Sequence, residues 1–248
     1  MDVSVSPDEY RRAAEAISTA HHLVAFTGAG ISVESGVPPF RGLGGIWDRY
    51  DPRVLEIGYF LSNPEESWRV IREIFYENID RAEPNLAHKA LAYWENVGVL
   101  KTLITQNIDD LHRKAGNSAP IEYHGNSRTL VCTETGRRYE ATAERLASIP
   151  PLSDAGALLR PDIVFFDEGI PPETARLAEE AARGADVMLV VGTTGEVYPA
   201  AALPTVAKHN GATIIEINTG HSAYSATITD IALRAPATAA MDSLSRLV

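Results

Sequence analysis

The chain has almost no cysteine. Cys132 is the only one in 248 residues, so no disulfide can close within the chain, and the composition suits a reducing, cytoplasmic setting. No apolar run approaches the roughly 18 residues of a membrane span, so no membrane association is expected. Residues 1–15 are charged and lack an apolar stretch, so no secretory signal peptide is expected there. Positive charge is also scarce: 22 Lys and Arg against 33 Asp and Glu leave a formal net charge of −11. Binding to nucleic-acid phosphates needs a basic face, so direct nucleic-acid binding is not expected. An acidic surface more readily meets a cationic partner such as a lysine-rich segment, although acidity also serves solubility alone. There is no internal repeat and no low-complexity segment.

What is present is a core. Hydrophobic residues make up 45% of the chain, which excludes a disordered or fibrous protein. The length suits one large domain, or one domain with an insertion. Ser6, Pro7 and Glu9 combine an N-cap, a first-turn proline and a capping-box acid, and predict a helix to about His21 or His22. Strands are predicted at 23–26, 99–104, 120–123, 187–191 and 213–217, with helices at 85–94, 173–183 and 200–209. The run Val187-Met188-Leu189-Val190-Val191 is apolar throughout, as in a parallel strand covered on both faces. Such alternation indicates an α/β fold, a parallel sheet with helices on both faces. Residues 43–83, with a helical pattern around 68–76, and residues 126–162, irregular and containing Pro150, Pro151 and Gly156, interrupt it. They are expected to form a smaller inserted lobe, and residues 1–42, 84–125 and 163–248 the large domain.

In open α/β sheets, ligands sit beyond the C-terminal strand ends. The first strand breaks into Gly28-Ala29-Gly30, which lets backbone approach a ligand and turns N–H groups toward an anion such as a dinucleotide pyrophosphate. The third glycine of a Gly-x-Gly-x-x-Gly pattern is absent, since Val33 stands there. Other strand ends give Gln106-Asn107-Ile108-Asp109, His124-Gly125, Gly192-Thr193-Thr194 and Asn218. Singly, each has an ordinary explanation as a turn, a helix cap or a structural histidine. Together they have the composition of a nucleotide site.

The chain resembles the sirtuin family, the NAD-dependent protein lysine deacylases, from about residue 18 to 240. The segment Gly28-Ala29-Gly30-Ile31-Ser32, with Glu34-Ser35-Gly36-Val37-Pro38 and Phe40-Arg41, looks like the first family signature. Gln106-Asn107-Ile108-Asp109 with Leu111-His112 looks like the second, and His124-Gly125 like the catalytic one. Gly192-Thr193-Thr194 with Val197-Tyr198-Pro199-Ala200 is similar to the adenosine-side loop. The resemblance implies a Rossmann-type large domain, a small lobe, and NAD consumed in the cleft between them. It implies that an acyl-lysine carbonyl oxygen attacks C1′ of the nicotinamide ribose, that His124 is the general base toward a ribose hydroxyl, and that free lysine and O-acyl-ADP-ribose result. An imidazole suits that role because it titrates near working pH. By the same resemblance, Asn107 and Asp109 join His124 in the catalytic set. Gly28, Ala29, Gly30 and Ser32 line the dinucleotide, and Ile108 and Asp109 hold nicotinamide. Gln106 and Asn107 face the ribose, and Phe40 and Arg41 cover it. Gly192, Thr193, Thr194 and Asn218 face adenosine. Val164, Phe165, Phe166, Asp167 and Glu168, with Val197, form the edges of the substrate-peptide groove.

The sequence departs from the family in its metal site. Most sirtuins carry two Cys-x-x-Cys pairs that bind structural zinc. Here the pairs read Cys132-Thr133-Glu134-Thr135 and Leu152-Ser153-Asp154-Ala155. No structural zinc is expected, and Leu152 and Ala155 are expected to replace it by apolar packing. Pro39 should stiffen the cofactor loop. Asp167 stands for a frequent Gly and Gly195 for a frequent Leu, and Asp167 with Glu168 could favour basic residues flanking the target lysine. Ile71 and Ile74 stand where succinyl-preferring members place Tyr and Arg, so acetyl or longer apolar acyl groups are expected. Two other functions share these residues: NAD hydrolysis or ADP-ribosyl transfer, and a weakly catalytic NAD sensor or scaffold.

Overall fold

Alternate residues of the apolar strands point to opposite sides of one sheet, and each side has its own core. The computed structural model describes residues 5–40, 45–78 and 81–248. The strands are β1 (Leu23–Thr27), β2 (Leu100–Thr105), β3 (Ile121–Glu122), β4 (Gly125–Cys132), β5 (Arg138–Glu140), β6 (Leu159–Ile163), β7 (Val187–Val191), β8 (Thr213–Ile217) and β9 (Ile231–Leu233). The helices are α1 (Pro7–Thr19), α2 (Ile57–Ser62), α3 (Pro64–Ile71), α4 (Leu86–Asn96), α5 (Leu111–Ala115), α6 (Pro172–Gly184), α7 (Leu203–His209) and α8 (Ala237–Ser245).

A six-stranded parallel sheet runs β3-β2-β1-β7-β8-β9. Leu23 and Ala25 of β1, with Val187, Leu189 and Val191 of β7, pack against Ile17 of α1, Leu91 and Trp94 of α4, and Met241 and Leu244 of α8. Val24 and Phe26, with Met188 and Val190, pack on the other face against Ala178 and Ala182 of α6 and Ala207 of α7. The period of two along each strand, with both sides apolar, is what a helix-covered parallel sheet requires. The fold is therefore a Rossmann-like α/β fold. The strand order reverses between β1 and β7, the place where such sheets open a crevice.

The expected capping box is present: Ser6 Oγ accepts the Glu9 amide, and Glu9 Oε2 accepts the Ser6 amide at 2.9 Å. The helix stops at Thr19, short of His21 and His22. The amides of both histidines instead donate to the Asp186 carboxylate, at 2.6 and 2.9 Å, which fixes the chain as it enters β1. The helical pattern at 68–76 divides into α3 and a wider π turn, Arg72–Asn78. Residues 200–209 begin as a 3₁₀ turn, Ala200–Ala202, before α7.

Residues 126–162 are not irregular. They contribute most of an antiparallel sheet ordered β5-β4-β6. Its longest strand, β4, is half-buried without a clean alternation, and β5 has only three residues. Their core joins Leu130, Cys132 and Leu159 to Phe60, Trp68, Ile71, Ile74 and Phe75 from the preceding helical segment.

The expected apolar packing by Leu152 and Ala155 is not found. Leu152 is 45% exposed and Ala155 is exposed. Residues 153–156 form a tight turn that throws these positions outward. Ser153 ties it, with its amide donating to Ala157 O at 2.8 Å and its Oγ accepting the Ala157 amide at 3.0 Å. Asp154 pairs with Arg145, whose guanidinium lies 4.5 Å over the Tyr139 ring, with Arg137 also stacked on that ring. Among the described residues, no group of three or more His, Cys, Asp or Glu side chains is placed to hold a metal ion, and no helix is long and apolar enough to cross a membrane.

Candidate active site

The crevice at the strand reversal is floored by backbone. A Cβ on Gly30 would lie 2.6 Å from Gly192 Cα, and one on Gly28 would lie 2.8 Å from both Gly192 O and Thr193 Cβ. Gly192 itself has φ +65°, a left-handed conformation that favours glycine. The expected role of these glycines therefore needs correcting. What approaches them closely is the opposite loop, and two of their amides do not point to an anion: Gly28 N–H donates to Val191 O and Gly30 N–H to Gly192 O, at 2.9 and 2.8 Å. Of the three amides at Gly28, Ala29 and Gly30, only that of Ala29 is not spent on a backbone carbonyl among the described residues. The turn continues as a 3₁₀ helix, Ala29–Ser35, closed by Gly36 at φ +84°.

The loop after β2 is laced into this floor. Asn107 Nδ2 donates to Gly28 O (3.1 Å) and to Ser32 Oγ (3.2 Å). Gln106 Nε2 donates to Thr27 O and to Thr193 Oγ1, and Asn218 Nδ2 to Thr193 O. Four strand ends are thereby joined through side-chain amides.

Behind the floor lies a buried polar cluster. Ser32 Oγ donates to Asp109 Oδ2 at 2.6 Å, and the Leu111 amide to Asp109 Oδ1 at 3.0 Å. Burial pushes the Asp109 carboxyl above the usual range, and these two hydrogen bonds only partly offset it. His88 Nδ1 donates to Asn85 Oδ1 (3.0 Å), and its ring meets that of His112 edge to face at 4.9 Å. His112 Nε2 lies 2.9 Å from Thr27 Oγ1, which donates to Thr105 Oγ1. Burial holds His88 down to about 4; burial and then the neighbouring His88 hold His112 down to about 3.

A cavity of about 430 Å³ opens above the floor. His124 enters it from the end of β3. Its Nδ1 lies 3.1 Å from Gln106 O, and a carbonyl only accepts, so Nδ1 carries the proton and Nε2 keeps a lone pair. Burial lowers the His124 pKa, against the opposing pull of the Gln106 carbonyl. The outer wall is aromatic: Phe40 packs on Trp47 (5.6 Å) and Phe75 (6.4 Å), and Trp47 on Phe166 (6.1 Å). The segment after β6 forms another rim, with the Val164 amide bonded to His124 O at 2.9 Å. Here Glu168 is not a free anion. Arg160 grips it with two nitrogens, one at 2.6 Å, and it accepts the Phe165 amide. Asp167, at φ +69°, is the exposed acid of the pair.

Of the residues singled out in the sequence, Gly28, Ala29, Gly30, Phe40, Gln106, Asn107, Ile108, His124, Gly192, Thr193, Thr194 and Asn218 line this one cavity, as do residues 164–168 and Val197. Ser32 and Asp109 are brought together, but beneath the wall. Arg41 lies outside the described residues. The sequence reading missed Trp47, Leu55 and Phe75, which come from the segment before α4 and complete the wall. The aromatic content of that segment was the available signal.

The sequence model described as "Sir2 family" matches residues 28–199. The chain belongs to the Sir2 family. Among Sir2 relatives, "NAD-dependent protein deacylase 1" of Archaeoglobus fulgidus is 42% identical over 234 residues, covering 94% of this chain and 95% of the relative. "NAD-dependent protein deacylase" of Thermococcus kodakarensis is 43% identical, covering 95% and 94%. A solved Sir2 homologue mutant in complex with ADP-ribose superposes with a TM-score of 0.89 at 42% identity, covering 95% of both chains. A solved Sir2 with a p53 peptide and NAD+ superposes at 0.87 and 34% identity, covering 95% and 96%.

Proposed function

We propose that this protein is an NAD-dependent protein lysine deacylase, with deacetylation as its leading activity. The observation that carries the proposal is His124: a neutral imidazole whose protonated nitrogen is fixed on Gln106 O, in the cavity floored by the Gly28, Gly30 and Gly192 turns. A site that only binds a nucleotide has no need of a base held in that tautomer.

The residues present suit NAD. The closely packed turns at Gly28, Gly30 and Gly192 line the cavity, and its volume is in the range of small-molecule sites. Gly28, Ala29 and Gly30 would stand on the pyrophosphate side, and Thr193, Thr194 and Asn218 on the adenosine side. Gln106 and Asn107 would meet the ribose and Ile108 the nicotinamide, with Phe40 over the sugar, while Asp109 with Ser32 would brace this turn from behind. When bound, NAD supplies a C1′ centre whose nicotinamide can depart. His124 Nε2 accepts a hydroxyl proton, Gln106 O keeps the ring oriented, and the aromatic wall excludes water.

The acylated lysine would enter between residues 164–168 and Val197. Ile71 and Ile74 are 0% and 3% exposed within the lobe core and are not among the residues lining the cavity, so the reading of acyl groups without a terminal acid rests on the family resemblance. The commitment of Glu168 to Arg160 leaves Asp167 as the acid available to a basic flanking residue. We also read residues 43–83 and 126–162 as one lobe, since they share a core, and as folding without zinc, since Cys132 stands alone and the Ser153 turn and the Arg145 pairs hold the second knuckle. Stoichiometric zinc in chelator-washed protein would refute the metal-free reading.

The test is incubation with NAD and an acetyl-lysine peptide, following nicotinamide and peptide mass. Peptide-dependent nicotinamide release with loss of the acetyl group is expected. Release without peptide would make the protein an NAD hydrolase, and saturable binding without release a sensor.

A further inference from the structure

Behind His124, two carboxylates from different strand ends meet on one arginine. Asp110 follows Asp109 in the loop after β2 and adopts φ +62°. Glu122 ends β3, two residues before His124. Arg128 comes from β4, in the other sheet. Its Nη1 donates to Asp110 Oδ1 at 2.7 Å and to Glu122 Oε1 at 2.6 Å, and its Nη2 to Glu122 Oε2 at 2.8 Å. Both carboxylates are largely buried, with side chains 21% and 14% exposed. One residue earlier, Ser127 gives its amide (3.1 Å) and its hydroxyl (2.8 Å) to Ile108 O. The start of β4 thus holds the turn at residues 108–110 by its main chain and by charge.

We propose that Arg128 is a positioning residue that latches the turn carrying Ile108 and Asp109 to the strand end carrying His124, and so sets the distance between the nicotinamide side of the cavity and the base. Glu122 already has a second cation, Arg113 at 3.1 Å, so neutralising it does not require Arg128. What only Arg128 does is join it to Asp110. The fork holds two planar carboxylates at fixed angles, which a lysine ammonium does not reproduce. Without it, the Asp110 carboxylate loses its bridge to Glu122, and the two loops are free to separate. Reaction rates respond steeply to such displacements.

This latch rests on the deacylase reading, and the experiment separates the two. Arg128→Met, Arg128→Lys, Asp110→Asn and the Arg128→Met/Asp110→Asn double variant are compared with wild type. Arg138→Met, which removes an exposed arginine of the same sheet paired with Asp162, is the control. The readouts are kcat and KM for NAD and peptide, per folded molecule, and hydrogen exchange across residues 107–112 and 122–127. Arg128→Met is expected to lower kcat about tenfold or more, with exchange accelerated in both segments together. The lysine variant should stay near the methionine variant. The double variant should regain several-fold in kcat, because the stranded carboxylate is neutral. Arg138→Met should stay within about twofold, as for a surface substitution. Wild-type kinetics and wild-type exchange in Arg128→Met would overturn the latch, as would a loss of stability with kcat per folded molecule unchanged. A wild type that deacylates no peptide would overturn the deacylase reading instead, while the exchange data still decide the latch.

Discussion

Mild acid should destabilise this protein through two histidines that take no direct part in the proposed chemistry. His88 is fully buried and His112 is 2% exposed. Burial, and for His112 the neighbouring His88, keeps them neutral, at about 4 and about 3. In the unfolded chain each takes a proton near pH 6.5. The folded pKa values are depressed, so the stabilisation is complete above about pH 6.5 and is lost as pH falls toward the folded values. At pH 5 each histidine costs about 2 kcal/mol relative to neutral pH, and the pair about 4 kcal/mol. That is a large part of a typical domain's stability of about 5–15 kcal/mol. The slope between pH 6 and 5 should be about 2.4 kcal/mol per pH unit, approaching two protons' worth. Asp109, raised by burial, works in the opposite sense, and His124, lowered, in the same sense. Urea denaturation followed by circular dichroism at pH 7.5, 6 and 5, for wild type and for His88→Asn and His112→Asn, measures the slope. Each variant should lose about one proton from it. A wild-type stability flat between pH 7.5 and 5, or a double variant with the wild-type slope, would refute the argument. A wild-type slope of half the size would mean that one histidine is already charged in the folded protein.

Three further outcomes are expected. The acid limb of kcat/KM should have its midpoint below about 6.5, because burial lowers His124; His124→Ala should abolish deacylation while calorimetry finds NAD binding near that of wild type. Gly30→Ala places a methyl 2.6 Å from Gly192 Cα, so melting should report a loss of about 1–3 kcal/mol together with weakened NAD binding. Ser153→Ala removes the oxygen that accepts the Ala157 amide and should cost about 1 kcal/mol, with no change in the KM for NAD.

Strands β7 and β8 were legible to the residue, because a strand buried on both faces is apolar without interruption. The strand ends were legible as a site, because Gly28, Gln106, His124 and Gly192 are polar or small just where apolar runs stop. The antiparallel sheet was not. The strand Gly125–Cys132 is mostly polar and half-buried, so neither a continuous nor an alternating apolar signal marks it. The same limit hid the depth of the site. Ser32 and Asp109 are polar at a strand end, as a ligand contact would be, yet they satisfy each other below the wall. Only three-dimensional packing distinguishes the two cases. The glycines were read as room for a ligand, and what fills the room is the neighbouring loop.

The aromatic ladder also gives the protein an optical probe of its own. The chain has three tryptophans. Trp68 and Trp94 are buried in separate cores, and Trp47 alone lines the cavity, between Phe40 and Phe166. A molecule sliding along that wall changes the polarity around one indole and leaves the other two undisturbed. With Trp68 and Trp94 replaced by Phe, the emission of Trp47 would report cavity occupancy directly, without a label and without turnover.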